Sequence, residues 1–217
     1  MSPQKEPADP RRPAPRLYLV IPQDLAGLTD RLADALGAAD VAAVLLRLPD
    51  TDERHRINHA KGIAPVVQSK GAALLLEGCA ELAARAGADG AHLSGIDALR
   101  GAVATLKPAR IAGCGGLTTR HDAMVAAEAG ADYVMFGEPD AAGHRPSLAA
   151  IAERVAWWAE LFEVPCVGFA ASLEEVEPLA AAGADFVATD CVFADAAGTA
   201  ASVAEAAQRL ARVEAAA

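Results

Sequence analysis

The sequence predicts an α/β fold, a single-domain (β/α)8 TIM barrel over residues 17–217, with a Pro- and charge-rich arm at 1–16. Three observations carry this reading. Eight short runs, most of them apolar throughout, alternate with Ala-rich stretches of helical period, the pattern of parallel strands buried on both faces. A Gly-Ala-Asp triplet recurs where a helix turns into the next strand. The dinucleotide fingerprint G-x-G-x-x-G of a doubly wound sheet is missing after the first strand, where the chain reads Pro22-Gln23-Asp24-Leu25-Ala26-Gly27.

The strand candidates are 17–21, 41–46, 72–76, 90–93, 110–113, 133–136, 166–169 and 186–189, each too short for an ordinary helix. Helical periodicity marks 28–36, 81–86, 98–106, 123–129, 148–160, 173–182 and 203–213. A weaker helical candidate covers 52–67, where Gly62 and Pro65 are expected to interrupt it. Gly87-Ala88-Asp89, Gly130-Ala131-Asp132 and Gly183-Ala184-Asp185 each follow a helix and precede a strand, and Gly37-Ala38-Ala39-Asp40 is a related form. Glycine just past a helix adopts the left-handed conformation that stops it, so these triplets are read as structural turns.

Composition narrows the function. Hydrophobic residues make up 53% of 217, enough for a large core, while aromatics are only 4%. The formal net charge is −10, and the longest basic cluster is Arg11, Arg12 and Arg16 in the arm. Nucleic-acid and anionic-membrane partners are therefore not expected, because both need a basic face. No apolar run reaches the length of a membrane-spanning helix. Cys79, Cys114, Cys166 and Cys191 are scattered without CxxC spacing, and residues 1–16 lack an apolar signal region. That combination predicts reduced thiols and a cytoplasmic location, with 1–16 a disordered arm.

In a barrel the site lies at the C-terminal ends of the strands, and a small-molecule ligand is expected at that mouth. Several residues there have two readings. Asp97 either caps the helix beginning near Ala98 or joins Glu77 in a site for Mg²⁺. His92, within a strand, is either a core histidine or a catalytic one. Cys114-Gly115-Gly116 is either a tight turn or a backbone nest for phosphate, with Cys114 activated or merely packed. Asp140 and Asp190 are solvated loop residues unless they share one cavity. A homo-oligomer is the alternative to a lone barrel.

Four segments carry a resemblance: Leu17-Tyr18-Leu19-Val20, Gly87-Ala88-Asp89-Gly90-Ala91-His92-Leu93, Gly130-Ala131-Asp132-Tyr133-Val134-Met135-Phe136-Gly137 and Pro165-Cys166-Val167-Gly168. In order and spacing they resemble the thiamine phosphate synthase family, which includes the TenI-type thiazole tautomerases, over 17–193. The resemblance implies a (β/α)8 barrel and a transferase of thiamine biosynthesis. Such synthases join a hydroxymethylpyrimidine diphosphate to a thiazole phosphate with Mg²⁺ and release pyrophosphate. It also implies a metal role for Asp97 and a substrate-binding role for Arg47. TenI-type enzymes use a histidine for proton transfer, which brings in His121 beside His92.

The strand ends depart from that family. Leu45 replaces a glutamine two residues before Arg47, and no lysine follows. Glu77-Gly78-Cys79 stands for Asn-Asp-Arg, and Ser94-Gly95 for Gly-Gln. Residues 138–145 replace Pro-Thr-x-Thr-Lys, with Glu138 new and Arg145 in place of the lysine. Ala170-Ala171 replaces a Gly-Gly, and Asp190-Cys191 an apolar-Ser pair. Cations and phosphate-cradling glycines are lost and carboxylates gained, which predicts an acidic mouth and altered or lost synthase activity. The alternatives are a TenI-like tautomerase and a non-catalytic barrel that binds a metabolite or a protein. An acidic mouth that binds a divalent cation favours the enzyme; a mouth filled by its own side chains, with no open pocket, favours the binder.

Overall fold

A computed structural model describes residues 13–23, 25–194 and 198–216. Eight parallel strands close in chain order. They are β1 (Arg16–Ile21), β2 (Val41–Leu46), β3 (Ala73–Glu77), β4 (Gly90–Ser94), β5 (Ile111–Gly115), β6 (Tyr133–Phe136), β7 (Cys166–Phe169) and β8 (Phe186–Thr189). The helices are α1 (Leu28–Ala38), α2 (Glu53–Gln68), α3 (Ala80–Ala86), α4 (Ile96–Leu106), α5 (Arg120–Glu128), α6 (Leu148–Leu161), α7 (Leu173–Ala181) and α8 (Thr199–Ala216). Most of the arm expected at 1–16 lies outside the described residues; Arg16 itself opens β1 rather than ending the arm.

Side chains alternate across each strand. Leu17, Leu19 and Ile21 of β1 pack outward under the helices, while Tyr18 and Val20 point into the barrel with Leu45, Leu75, Tyr133, Met135, Val167 and Phe169. The outer layer is Ala-rich on its helical side, with Ala35, Ala60, Ala83, Ala123 and Ala126 buried, so the helices lie close to the strands. Each buried Leu or Val contributes about 1.5–3 kcal/mol.

The Gly-Ala-Asp triplets do more than turn the chain. Gly87, Gly130 and Gly183 have φ of 72°, 101° and 99°, the left-handed region where glycine is unstrained. Each aspartate then accepts a hydrogen bond from the backbone at the start of the preceding strand. Asp89 takes the Leu74 N–H at 2.7 Å, Asp132 the Ala112 N–H at 2.7 Å and Asp185 the Cys166 N–H at 2.8 Å. Asp40 occupies the equivalent place before β2 and instead receives Arg16 Nε and a terminal guanidinium nitrogen at 2.8 and 2.9 Å.

One expectation is overturned. α2 runs unbroken through Gly62 and Pro65. Ile57, Ala60, Ile63, Ala64 and Val67 form one buried stripe, the Asp52 side chain caps the start by accepting from His55 N–H, and Pro65 faces solvent. Tertiary burial of the stripe outweighs the one backbone hydrogen bond that proline forgoes.

Candidate functional site

The C-terminal mouth of the barrel holds an open cavity of about 550 Å³. Arg47 enters its wall from the end of β2, Glu77 from β3, His92 and Ser94 from β4, Gly116 from beyond β5, and Glu138 from beyond β6.

His92 is the centre of the arrangement. It points inward because Ala91 and Leu93, its neighbours on β4, pack outward. Its side chain is 2% exposed, with Nδ1 2.8 Å from the Tyr133 hydroxyl. The Tyr133 hydroxyl lies 2.8 Å from that of Tyr18, and the imidazole stacks on the Tyr133 ring at 5.7 Å. Nε2 faces the mouth, 3.0 Å from Glu138 Oε1. That is an ion-pair contact, since no acceptor is aligned for a hydrogen bond with Nε2 among the described residues. Glu138 Oε2 accepts from the Gly116 N–H at 3.3 Å.

Glycines make this possible. In register, Gly113 stands between His92 and Tyr133, and a Cβ there would fall 2.0 Å from Tyr133 Cζ. Gly115 leaves equivalent room for Glu138.

Burial opposes charge on both members of the pair, yet their mutual attraction wins. Burial lowers the His92 pKa, but the Glu138 carboxylate, with Glu77, holds it above the usual imidazole value. Burial raises the Glu138 pKa, but His92, the Gly116 amide and Arg47 hold it below the usual carboxylate value. These attractions favour the imidazolium–carboxylate form of the pair. In that form both ring nitrogens carry protons, so Nδ1 would donate to Tyr133 and leave Tyr133 to donate to Tyr18. Burial also keeps both tyrosines protonated.

The cations of the mouth are already engaged. Arg47 donates to Glu77 at 3.1 Å and lies 3.9 Å from Asp190. Arg145 donates to the Gly137 and Phe169 carbonyls and to Glu175, at 3.1, 2.9 and 2.7 Å, so it pins the loop before α6 to α7. Arg154 donates to the Leu117 carbonyl at 3.0 Å. The expected acidic mouth is therefore corrected to one of mixed charge, because Glu77 and Glu138 face cationic partners. Asp140 is 60% exposed and accepts the Ala142 and His144 N–H groups, the solvated role foreseen for it.

Other candidates do not join this centre. Asp97 lies in the first turn of α4 behind Gly95, which occupies the N-cap, so the capping role is also corrected. It lines a separate depression with Arg100 and Asp122, apart from Glu77. The Asp97–Glu77 pair thus does not fit Mg²⁺, and among the described residues no three His, Cys, Asp or Glu side chains converge as metal ligands. His121 is exposed in the first turn of α5 and does not line the cavity. Cys114 packs outward and burial pushes its thiol up to about 11, the opposite of activation. Gly115 ends β5, and Gly116, with φ of 64°, donates its N–H to Glu138. Asp190 sits half-buried on the rim. Tyr18 and Tyr133 were not foreseen; the signal for them was the inward phase of their strands opposite glycine-bearing β5.

A closed parallel (β/α)8 barrel with its polar groups gathered at the C-terminal mouth defines a barrel protein with its candidate site in the usual position. The family described as Thiamine monophosphate synthase matches residues 17–190. A thiamine-phosphate synthase of Rhodospirillum centenum is 41% identical over 197 residues, covering 88% of this chain and 95% of that one. One of Hyphomonas neptunium is 35% identical over 187 residues, covering 82% and 85%. The solved thiamine phosphate pyrophosphorylase from Pyrococcus furiosus superposes with a TM-score of 0.78 at 18% identity, covering 91% of this chain and 96% of that one. The chain belongs to the thiamine monophosphate synthase family. Among the described residues no helix is long and apolar enough to cross a membrane.

Proposed function

We propose that this family member has altered or lost the coupling of a pyrimidine diphosphate to a thiazole phosphate, and keeps the barrel mouth as a small-ligand site. One observation carries the reading: Arg47, the cation retained at the end of β2, is engaged by Glu77 at 3.1 Å and faces Asp190 at 3.9 Å. A departing pyrophosphate needs uncompensated positive charge where its own charge develops. Two carboxylates on that guanidinium oppose it. The separation of Asp97 from Glu77 works in the same direction.

Steady-state turnover with both phosphorylated substrates and Mg²⁺ tests this. The expected result is a kcat/KM at least about 100-fold below that of the Rhodospirillum centenum relative measured alongside, the cost of about 2.7 kcal/mol of lost transition-state stabilisation. Comparable turnover overturns the proposal.

A second reading is proton transfer of the TenI type. His92 and Glu138 favour it, being a histidine–carboxylate pair at the cavity wall with Tyr133 and Tyr18 behind it. The open cavity favours either reading over a barrel closed by its own side chains.

A further inference from the structure

Two groups in the mouth flank one spot: His92 Nε2 and the Gly116 N–H. Glu138 fills that spot, with Oε1 3.0 Å from the first and Oε2 3.3 Å from the second. His92 is buried, and its Nε2 still lacks an aligned hydrogen-bond acceptor. A buried donor left in that condition has capacity that Glu138 does not fully use. Gly115 reserves the space, since a Cβ there would fall 1.7 Å from Oε2. The carboxylate therefore blocks the space in which an external anion could line up with both groups.

We propose that Glu138 is a built-in occupant of an oxyanion subsite formed by His92 and the Gly116 amide. A small external oxyanion, whether a phosphate or a carboxylate group of a ligand, binds there when Glu138 is displaced. Displacement has a route. Glu138 follows Gly137, whose φ is 93°, and both line the cavity of about 550 Å³ into which the side chain can swing. The loop beyond is anchored by Arg145 on the Gly137 and Phe169 carbonyls, so Glu138 can move without releasing α6. The proposal rests on the mouth being a ligand site, as read above, and not on the loss of coupling.

Isothermal titration of inorganic phosphate, with acetate as a separate arm, tests the inference without either synthase substrate, so its outcome is independent of the turnover assay. Glu138→Ala at pH 7 is expected to bind at least one of the two anions about tenfold or more tighter than wild type. A gain for phosphate alone, acetate alone or both identifies the oxyanion class the subsite accepts. Adding His92→Gln should remove the gain. Asp140→Ala takes an equal charge from the same loop without vacating the subsite, and should bind like wild type. No gain in Glu138→Ala for either anion, an equal gain in Asp140→Ala, or a gain that survives His92→Gln overturns the proposal. Where Glu138→Ala does not fold, Glu138→Gln keeps the volume without the charge. It is expected to bind phosphate or acetate more tightly than wild type, and no gain there overturns the proposal equally.

Discussion

The Gly115 hydrogen and the Glu138 carboxylate share one small space: a Cβ on Gly115 would lie 1.7 Å from Glu138 Oε2 and 2.6 Å from His92 Nε2. Gly115→Ala must therefore expel Glu138 from its place, breaking the ion pair. The expected cost is about 1–3 kcal/mol, as for overpacking, read from the urea midpoint. Gly101→Ala is the control. It lies inside α4 with nothing within 4 Å of the added Cβ, so it should stabilise by about 0.5–1 kcal/mol. Equal stability of Gly115→Ala and wild type would show that Glu138 is not held where it is placed.

The His92–Glu138 pair makes stability depend on pH from both sides. His92 is raised above 6.5, so its contribution is complete below that value and is lost as pH rises through the folded pKa. Glu138 is lowered below 4.5, so its contribution is complete above that value and is lost as pH falls through its folded pKa. The stability gap between wild type and Glu138→Gln should be widest between those two reference values and should narrow above and below. Urea unfolding from pH 4 to 9 measures it, and a gap that widens steadily toward pH 9 contradicts the assignment.

Asp132→Ala removes the acceptor of the Ala112 N–H at the start of β5, together with the Lys107 ion pair. A partly buried amide loses its partner, at a cost of about 1–3 kcal/mol. Asp40→Ala breaks only the Arg16 pair, whose carboxylate is 72% exposed, and should cost about 1 kcal/mol or less. Thermal or urea unfolding should rank the two variants in that order.

Thiol labelling separates the cysteines. Burial of Cys114, with its thiol pushed up to about 11, should leave it unmodified by iodoacetamide in the native protein at pH 8. Cys191, half-exposed beyond β8, should label first. Mass spectrometry of peptides from the labelled native protein distinguishes them, and early modification of Cys114 would count against its outward packing.

The barrel was legible because its signals are local. Apolar runs, helical period and the Gly-Ala-Asp turns each lie within a few consecutive residues. Pro65 misled for the complementary reason, since the stripe that keeps α2 intact is rewarded only by packing on other elements. The mouth was legible in part. Arg47, Glu77, His92, Gly116, Glu138 and Arg145 do line it, but which of them face each other depends on the register of all eight strands. Tyr133 reaches His92 only because Gly113 stands between them. Asp97 and His121 sit near the mouth in sequence but turn away from it, because each belongs to the first turn of a helix.

The four aspartates at the bottom of the barrel have a consequence for assembly. Their ties join β1 to β2, β3 to β4, β5 to β6 and β7 to β8, over chain separations of only 24, 15, 20 and 19 residues. Closing loops of that length loses little more entropy than forming a hairpin, so each quarter of the barrel can lock its own two strands before meeting the others. Sequence-distant closure is left to the seam between β8 and β1, where Arg16 pairs with Phe186.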